Sequence, residues 1–418
     1  MTPVPGSPDP AKMLAEAPFV EVSVDGLVPG GMIEPESAAE AAAVLAEGAR
    51  HRFACAPIGG GTKLALGNPP ERLDVALSTR RLGGIIDYVP TDLVLSVGGG
   101  TKIGDVRAVL AEHGQGLPID APDDATIGGL IATALAGPRR LGYGTLRDLL
   151  IGITVAHPGR ITHAGGMVVK NVSGFDLPRV YHGSLGTLGV VVSANFKVLP
   201  LPRHETTLLV ACDGLTEALA AARRVRGSRL RPTALEVTNS GGAWGMAVRL
   251  EGRPDTLEAA AEEIQRLDEG DVWTLEGGES AAWWRDYFAA QDLRLGQDEA
   301  LLRASVRLRD SAELAEGALA ALPGLGFNLP LVAVSPALGT LVVKVRTEAA
   351  DPATALARGL DLLGALADYA SVLSAPVAWK RGFDVWGKTP DTLDLMRSLK
   401  HEFDPARVLN PGRFVGFI

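Results

Sequence analysis

The chain has 418 residues, 46% of them apolar and 21% charged, with a formal net charge of −9. That length holds two or three domains with ample core, and an acidic balance without a Lys/Arg block gives nucleic-acid binding little electrostatic support. The two cysteines, Cys55 and Cys212, form neither a disulfide framework nor a CxxC metal pair, which suits a reducing compartment.

The start, MTPVPGSPDPAKML, lacks the basic region and apolar run of a secretory signal. Residues 35–51 have helical composition, and Ser37 followed by Glu40 fits a capping box. FACAPIGGG then reads as a short strand entering a glycine turn. TDLVLSV at 91–97 is a second strand, and IGDVRAVLAEHG at 103–114 an amphipathic helix ended by Gly114. The small apolar stretch 126–137 suits a helix that lets another surface approach closely. LLIGITVAHPGR at 149–160 reads as strand and turn, and 183–199 as a glycine turn running into a long strand.

From residue 204 the pattern alternates. TTLLVACD, the helix LTEALAAARRVRG, ALEVTN, MAVRLEG and the helix TLEAAAEEIQRLDEG make one strand–helix–strand–strand–helix round. RASVRLRD, ELAEGALAAL, LPLVAVS, GTLVVKVR and ATALARGLDLLGALADY make a second. Such rounds predict an antiparallel sheet with helices on one face. Residues 317–343 carry no charge, yet Pro323, Pro330 and Pro336 punctuate them, so they read as a helix end, a loop and two buried strands rather than a membrane span. The tail from 389 reads as a helix followed by turns.

The pentapeptide GGGTK occurs at 59–63 and again at 98–102. Three glycines with a hydroxyl and an amine can cradle an anion, because no side chain blocks the backbone N–H groups. The second copy opens a helix, and the helix dipole favours an anion there; a tight strand turn without a ligand explains either copy equally well. Neither is a GxGxxG fingerprint, since Leu64 and Ile103 stand where the third glycine belongs. GFDVWGKT at 382–389 matches GxxxxGKT, but its bulky interior and its place near the chain end speak against a phosphate loop. None of the seven histidines lies between 205 and 400, and no HExxH, HxH or GxSxG spacing occurs.

Five stretches together carry a resemblance: PIGGGTKL (57–64), PDDATIGGLIAT (122–133), AGPRRLGYGTLRD (136–148), KNVSGFDLPRV (170–180) and GSLGTLGVV (183–191). They resemble FAD-binding oxidoreductases of the vanillyl-alcohol oxidase and p-cresol methylhydroxylase superfamily. Within it, GGMVVKNVSGFDLPR and the tail VWGKTPDTLDLMRSLKHEFDPARVLNPGRF look most like the FAD-binding E subunits of bacterial glycolate oxidases. The resemblance implies an α+β fold: a two-subdomain FAD-binding domain over 1–203, an antiparallel-sheet cap with helices on one face over 204–375, and a tail over 376–418 that returns to the first domain.

It also implies a site. Ile58, Gly59, Gly60, Gly61 and Thr62 would form the pyrophosphate loop; Thr126, Ile127, Gly128, Gly129, Ala132, Thr133, Gly137 and Gly144 would line the FAD channel; Val190 would lie against the flavin or adenine, and Asn410 would bring the tail to the ring. Some relatives attach FAD covalently through a loop histidine. GGGTK has none, so FAD is expected to be non-covalent, and the histidine-free cap departs from relatives that place imidazoles around metal or substrate. The implied function is an FAD-dependent subunit of a glycolate dehydrogenase complex, passing electrons to a second flavoprotein and an iron–sulfur subunit, because two cysteines cannot ligate a cluster. A free-standing 2-hydroxy acid dehydrogenase and a non-catalytic FAD scaffold or electron relay are the alternatives. No metal and no membrane span are expected, and the implied location is the cytoplasm, or the inner face of the cell membrane through the complex. No catalytic base is assigned; Arg139, Arg140, Lys170, Lys380 and Arg381 are candidate carboxylate binders.

Overall fold

The computed structural model describes residues 22–167, 176–239, 242–267 and 270–418. Its first half holds two sheets. Gly31–Ile33, Val75–Ser78 and Cys55–Ile58 form a parallel three-stranded sheet, with Val75–Ser78 in the middle. Ile85–Val89, Val94–Gly98, Val190–Lys197, Leu150–His157 and Arg160–Gly165 form an antiparallel five-stranded sheet in that order. The expected first helix runs Ala38–His51. Ser37 caps it by accepting from the Glu40 N–H, while the Glu40 carboxylate accepts from Glu36 N–H rather than from Ser37, one residue off a full capping box. The small-residue stretch gives a helix only over Ile127–Thr133, because Ala134 turns left-handed and ends it.

The tail belongs to this half. Leu409 bridges Cys55 in parallel, with Cys55 N–H donating to Val408 O and Asn410 N–H to Cys55 O at 3.0 Å. The Leu393–Phe403 helix holds the join through Lys400, whose ammonium is buried and donates to Asp404, Thr187 O and Leu409 O at 2.7–2.8 Å. GFDVWGKT forms turns with no helix behind them. Asp384 accepts from Trp386 N–H, Gly416 N–H and the Asn68 amide, so the match to a phosphate loop is a structural buckle between tail and first half.

The large sheet runs from His204 to Ser374 and has eight antiparallel strands. Their order is Val272–Glu276, His204–Cys212, Trp244–Gly252, Ala234–Thr238, Asn328–Ser335, Thr340–Arg346, Glu299–Ser305, Tyr369–Ser374. The two rounds therefore meet at a central seam, where Val237 pairs Val334 and Thr238 pairs Ala333, and each unfolds outward from it in mirror order. The helices Leu215–Gly227, Pro254–Leu267, Ser311–Ala321 and Pro352–Leu366 cover one face and bury the main core with Leu208, Val248, Val332 and Val343. One further helix, Gly277–Ala289, lies on the opposite face, where Trp284 and Tyr287 pack on Ala234, Ala247 and Ala333. That face also receives the first half: Gly142 N–H donates to Thr233 O, and the Tyr143 hydroxyl to Glu251. Residues 317–343 end one helix, make a 3-10 turn and enter two strands, and among the described residues no helix is long and apolar enough to cross a membrane.

Candidate cofactor cleft and adjoining pocket

The first GGGTK follows the Cys55–Ile58 strand into a cleft of about 840 Å³, the size of a cofactor site. Gly59 and Gly60 lie so close to Thr126 that a Cβ on Gly59 would collide with its hydroxyl, and one on Gly60 with the Asp124 carbonyl. Thr126 Oγ1 accepts from Gly60 N–H at 3.3 Å and from Gly129 N–H at 3.4 Å. Among the described residues, the N–H groups of Gly59, Gly61, Thr62 and Lys63 have no protein acceptor. Buried polar backbone groups are nearly always paired, so this row of donors along a cleft is open to a ligand.

The second copy differs. Gly98 N–H donates to Gly84 O, Gly99 N–H to Val192 O, Gly100 N–H to Leu82 O and Thr101 N–H to Gly98 O, at 2.6–3.1 Å. Ile103 and Gly104, the first residues of the following helix, donate to Ala125 O and Asp123 O. The helix start that favoured this copy has no N–H left for an anion. Its carbonyls do other work: Gly99 O accepts from Gly128 N–H and Thr101 O from Ile127 N–H, at 2.7 and 2.9 Å. The second copy thus supports Thr126, and Thr126 supports the first copy.

Of the residues singled out from sequence, Ile58, Gly59, Gly60, Gly61, Thr62, Thr126, Gly128, Gly129, Ala132, Thr133, Val190 and Asn410 line this one cleft. Ile127 instead points into the core. Gly137 and Gly144 lie outside the cleft, in a smaller pocket with His182; a Cβ at Gly137 would meet Asp120, and Gly144 has φ +76°, which explains both glycines without a ligand. Lys63, Leu185, Gly186 and Arg413 line the cleft too, though the alignment had not singled them out. Asn410, itself at φ +43°, donates from Nδ2 to Leu185 O at 2.7 Å, leaving its buried Oδ1 without a partner. Arg413 donates from Nη2 to Leu64 O and Leu66 O, and its buried Nη1 is likewise unpartnered. No histidine or cysteine is among the residues lining the cleft.

A second pocket of about 660 Å³ adjoins it, sharing Lys63 and continuing past the end of the Ile127–Thr133 helix along Leu135–Pro138. It lies between the first half and the helix-poor face of the large sheet. Glu236, Arg303 and Arg140 line it. Glu236 stands beside the seam, fully buried, with Oε2 accepting from the Tyr287 hydroxyl at 2.7 Å and the Ser335 hydroxyl at 2.8 Å. Burial lifts its carboxyl to about 8 despite both donors and nearby Arg140. Burial pushes the Arg303 guanidinium down to about 10, and Arg140 adds like-charge repulsion. Glu236 in ALEVT and Arg303 in ASVRL were visible as charges inside otherwise apolar strands, a signal the motif search passed over.

The other cationic candidates are structural. Arg139 donates to Asp120 and Ile119 O. Lys380 is buried against Asp25, Ala65 O and Gly67 O, and burial lowers its amine to about 8. Arg381 is exposed, and Lys170 lies outside the described residues. Only Arg140 of the five opens on a pocket, its one side-chain bond being Nη2 to Thr340 Oγ1 at 2.6 Å.

Residues 29–165 match the FAD binding domain family, and residues 383–414 the C-terminal domain of FAD linked oxidases. This chain carries an FAD binding domain. The glycolate oxidase subunit GlcE of Escherichia coli is 36% identical to it over 211 residues, 49% of this chain and 57% of GlcE. A Xanthomonas citri D-2-hydroxyglutarate dehydrogenase is 28% identical over 426 residues, 91% of this chain and 88% of that one. The matched stretch thus spans about half of GlcE, and 45% of the glycolate oxidase subunit GlcD of Bacillus subtilis. A crystal structure of alkyldihydroxyacetonephosphate synthase superposes with a TM-score of 0.65 at 17% identity, covering 92% of this chain and 76% of that one, so the FAD binding domain and its cap share that enzyme's fold.

Proposed function

We propose that this chain is an FAD-dependent oxidoreductase acting on a small 2-hydroxy acid, as one subunit of a glycolate dehydrogenase-type complex. The observation that carries the reading is the cleft of unpartnered donors at the first GGGTK, joined through Lys63 to a pocket with two arginines. The residues present fit FAD. The amides of Gly59, Gly61, Thr62 and Lys63 would hold the pyrophosphate, Ala132, Thr133 and Val190 would flank the flat rings, and Asn410 Oδ1 and Arg413 Nη1 would gain the partners they lack. A cleft without histidine or cysteine suits non-covalent binding. When bound, FAD supplies the hydride acceptor and the electron relay.

The chain's own part is to orient the substrate and exclude water between the FAD binding domain and the large sheet. Two cysteines in the whole sequence are too few to ligate an iron–sulfur cluster, so electrons would leave for partner subunits of the kind implied by the GlcE and GlcD names. Free-standing action on a 2-hydroxy acid is the second reading, favoured by the alignment along nearly the whole length of a D-2-hydroxyglutarate dehydrogenase.

Anaerobic titration of the purified protein with glycolate, D-lactate and D-2-hydroxyglutarate decides between them. Bleaching of the flavin band only when partner subunits are added supports the complex. Bleaching by the chain alone supports the second reading. A flavin that no hydroxy acid reduces would leave a scaffold, and a colourless protein that takes up no FAD overturns the proposal.

A further inference from the structure

The pocket beside the cofactor cleft holds positive charge that nothing in the fold neutralises. Among the described residues, Arg303 has no hydrogen-bond or ion-pair partner although it lies well below the surface, and Arg140 has only the Thr340 hydroxyl. Asp120, the nearest ionised carboxylate, is taken by Arg139. Glu236 is protonated at neutral pH and offers no compensation. Two guanidiniums kept out of water without an anion are costly, and paired guanidiniums match a carboxylate's two oxygens.

Glu236 is the one proton-transfer group on the same wall. Both of its donors reach Oε2, so Oε1 faces no partner and is where the proton exchanges. It sits on the Ala234–Thr238 strand, and Arg303 on Glu299–Ser305, so both are placed by the rigid sheet rather than by loops.

We propose that Arg140 and Arg303 hold the carboxylate of the 2-hydroxy acid and that Glu236 accepts the hydroxyl proton. This rests on the reading that FAD occupies the adjoining cleft. In the step, the substrate O–H bond breaks and its proton goes to Glu236 Oε1. The Cα–H bond breaks with its electron pair leaving as hydride to FAD, the oxidant, and the C–O bond becomes the carbonyl of a 2-oxo acid. The groups that face Glu236 are Tyr287 and Ser335 as donors, Arg140 and Arg303 as cations, and the more distant Asp120. Bound carboxylate raises the cost of ionising Glu236, so binding near pH 8 takes up a proton.

Calorimetric titration of the flavin-loaded protein with oxalate at pH 8, in two buffers of different ionisation enthalpy, tests this. The parent is expected to take up a fraction of a proton per oxalate bound. Glu236→Gln should bind oxalate within about threefold of the parent and take up none. Arg303→Met should weaken oxalate by about tenfold or more, with Arg303→Lys recovering part of the loss. The same proton uptake in Glu236→Gln overturns the proton role. Parent-like oxalate binding by Arg303→Met, accompanied by a lowered flavin midpoint potential, means the guanidinium serves the flavin ring, and overturns the carboxylate role. Flavin content is read on each sample. Protein without flavin counts against the function proposed above, while its oxalate titration still decides this one.

Discussion

Glu236 makes stability depend on pH in a direction opposite to most carboxylates. Below the ordinary carboxylate range, folded and unfolded chains both carry its proton. As pH rises from about 4.5 the unfolded chain gives the proton up, whereas the fold keeps it until about 8. This group's contribution is therefore present at low pH and lost across that window. Glu236→Gln has no proton to lose, so its stability relative to the parent should improve steadily from about pH 4.5 to pH 8 and then level off. Thermal unfolding at several pH values reads the difference, and a flat difference would mean that Glu236 is ionised in the fold. Neither this residue nor Arg303 belongs to a recognisable motif. A charge within an apolar strand is legible in sequence, but whether its side chain meets water, a partner or a pocket depends on which face of the sheet the helices leave open.

The two GGGTK elements show where local reasoning stops. Glycines, a preceding strand and a following helix were all legible, and the helix dipole favoured the copy at 98–102. The deciding fact is which N–H groups already have acceptors, and those acceptors come from Leu82, Gly84 and Val192, far from the turn in sequence. The expectation that FAD phosphates meet the first copy leads to a direct comparison. Lys63 borders both pockets, and Lys102 is exposed. Lys63→Met should lower FAD affinity by roughly tenfold, the effect of losing one charge-assisted contact, and Lys102→Met should leave it unchanged. Equilibrium dialysis of FAD against the two variants measures this, and the reverse order would move the phosphates to the second copy.

At the scale of the molecule, the alternating rounds after residue 204 were readable from periodicity, and so was the return of the tail once its motif was aligned. The Gly277–Ala289 helix was not, because its aromatic residues face a sheet whose free side could not be known beforehand. The tail's attachment rests on a single buried cation. Lys400→Met would leave Asp404 buried beside three unsatisfied acceptors, a loss of about 3–5 kcal/mol by comparison with other broken buried pairs. Lower melting temperature and loss of flavin should appear together, since Asn410 lies just beyond Leu409. Lys400→Met with Asp404→Asn should recover part of the stability by removing the stranded charge.

The seam of the large sheet has a consequence for how such a pocket can arise. The rounds run outward from it in mirror order, and Glu236 and Ser335 each lie one residue beyond the paired Val237 and Val334, touching through a hydrogen bond. They are symmetry mates. If one unit was doubled to build this sheet, both mates began alike, and two glutamates at that contact would have to share one proton. Divergence of a single mate to serine leaves one titrating carboxylate with a hydroxyl to steady it. A duplicated frame thereby acquires a handed interior, and the large sheet presents different chemistry on either side of its own axis.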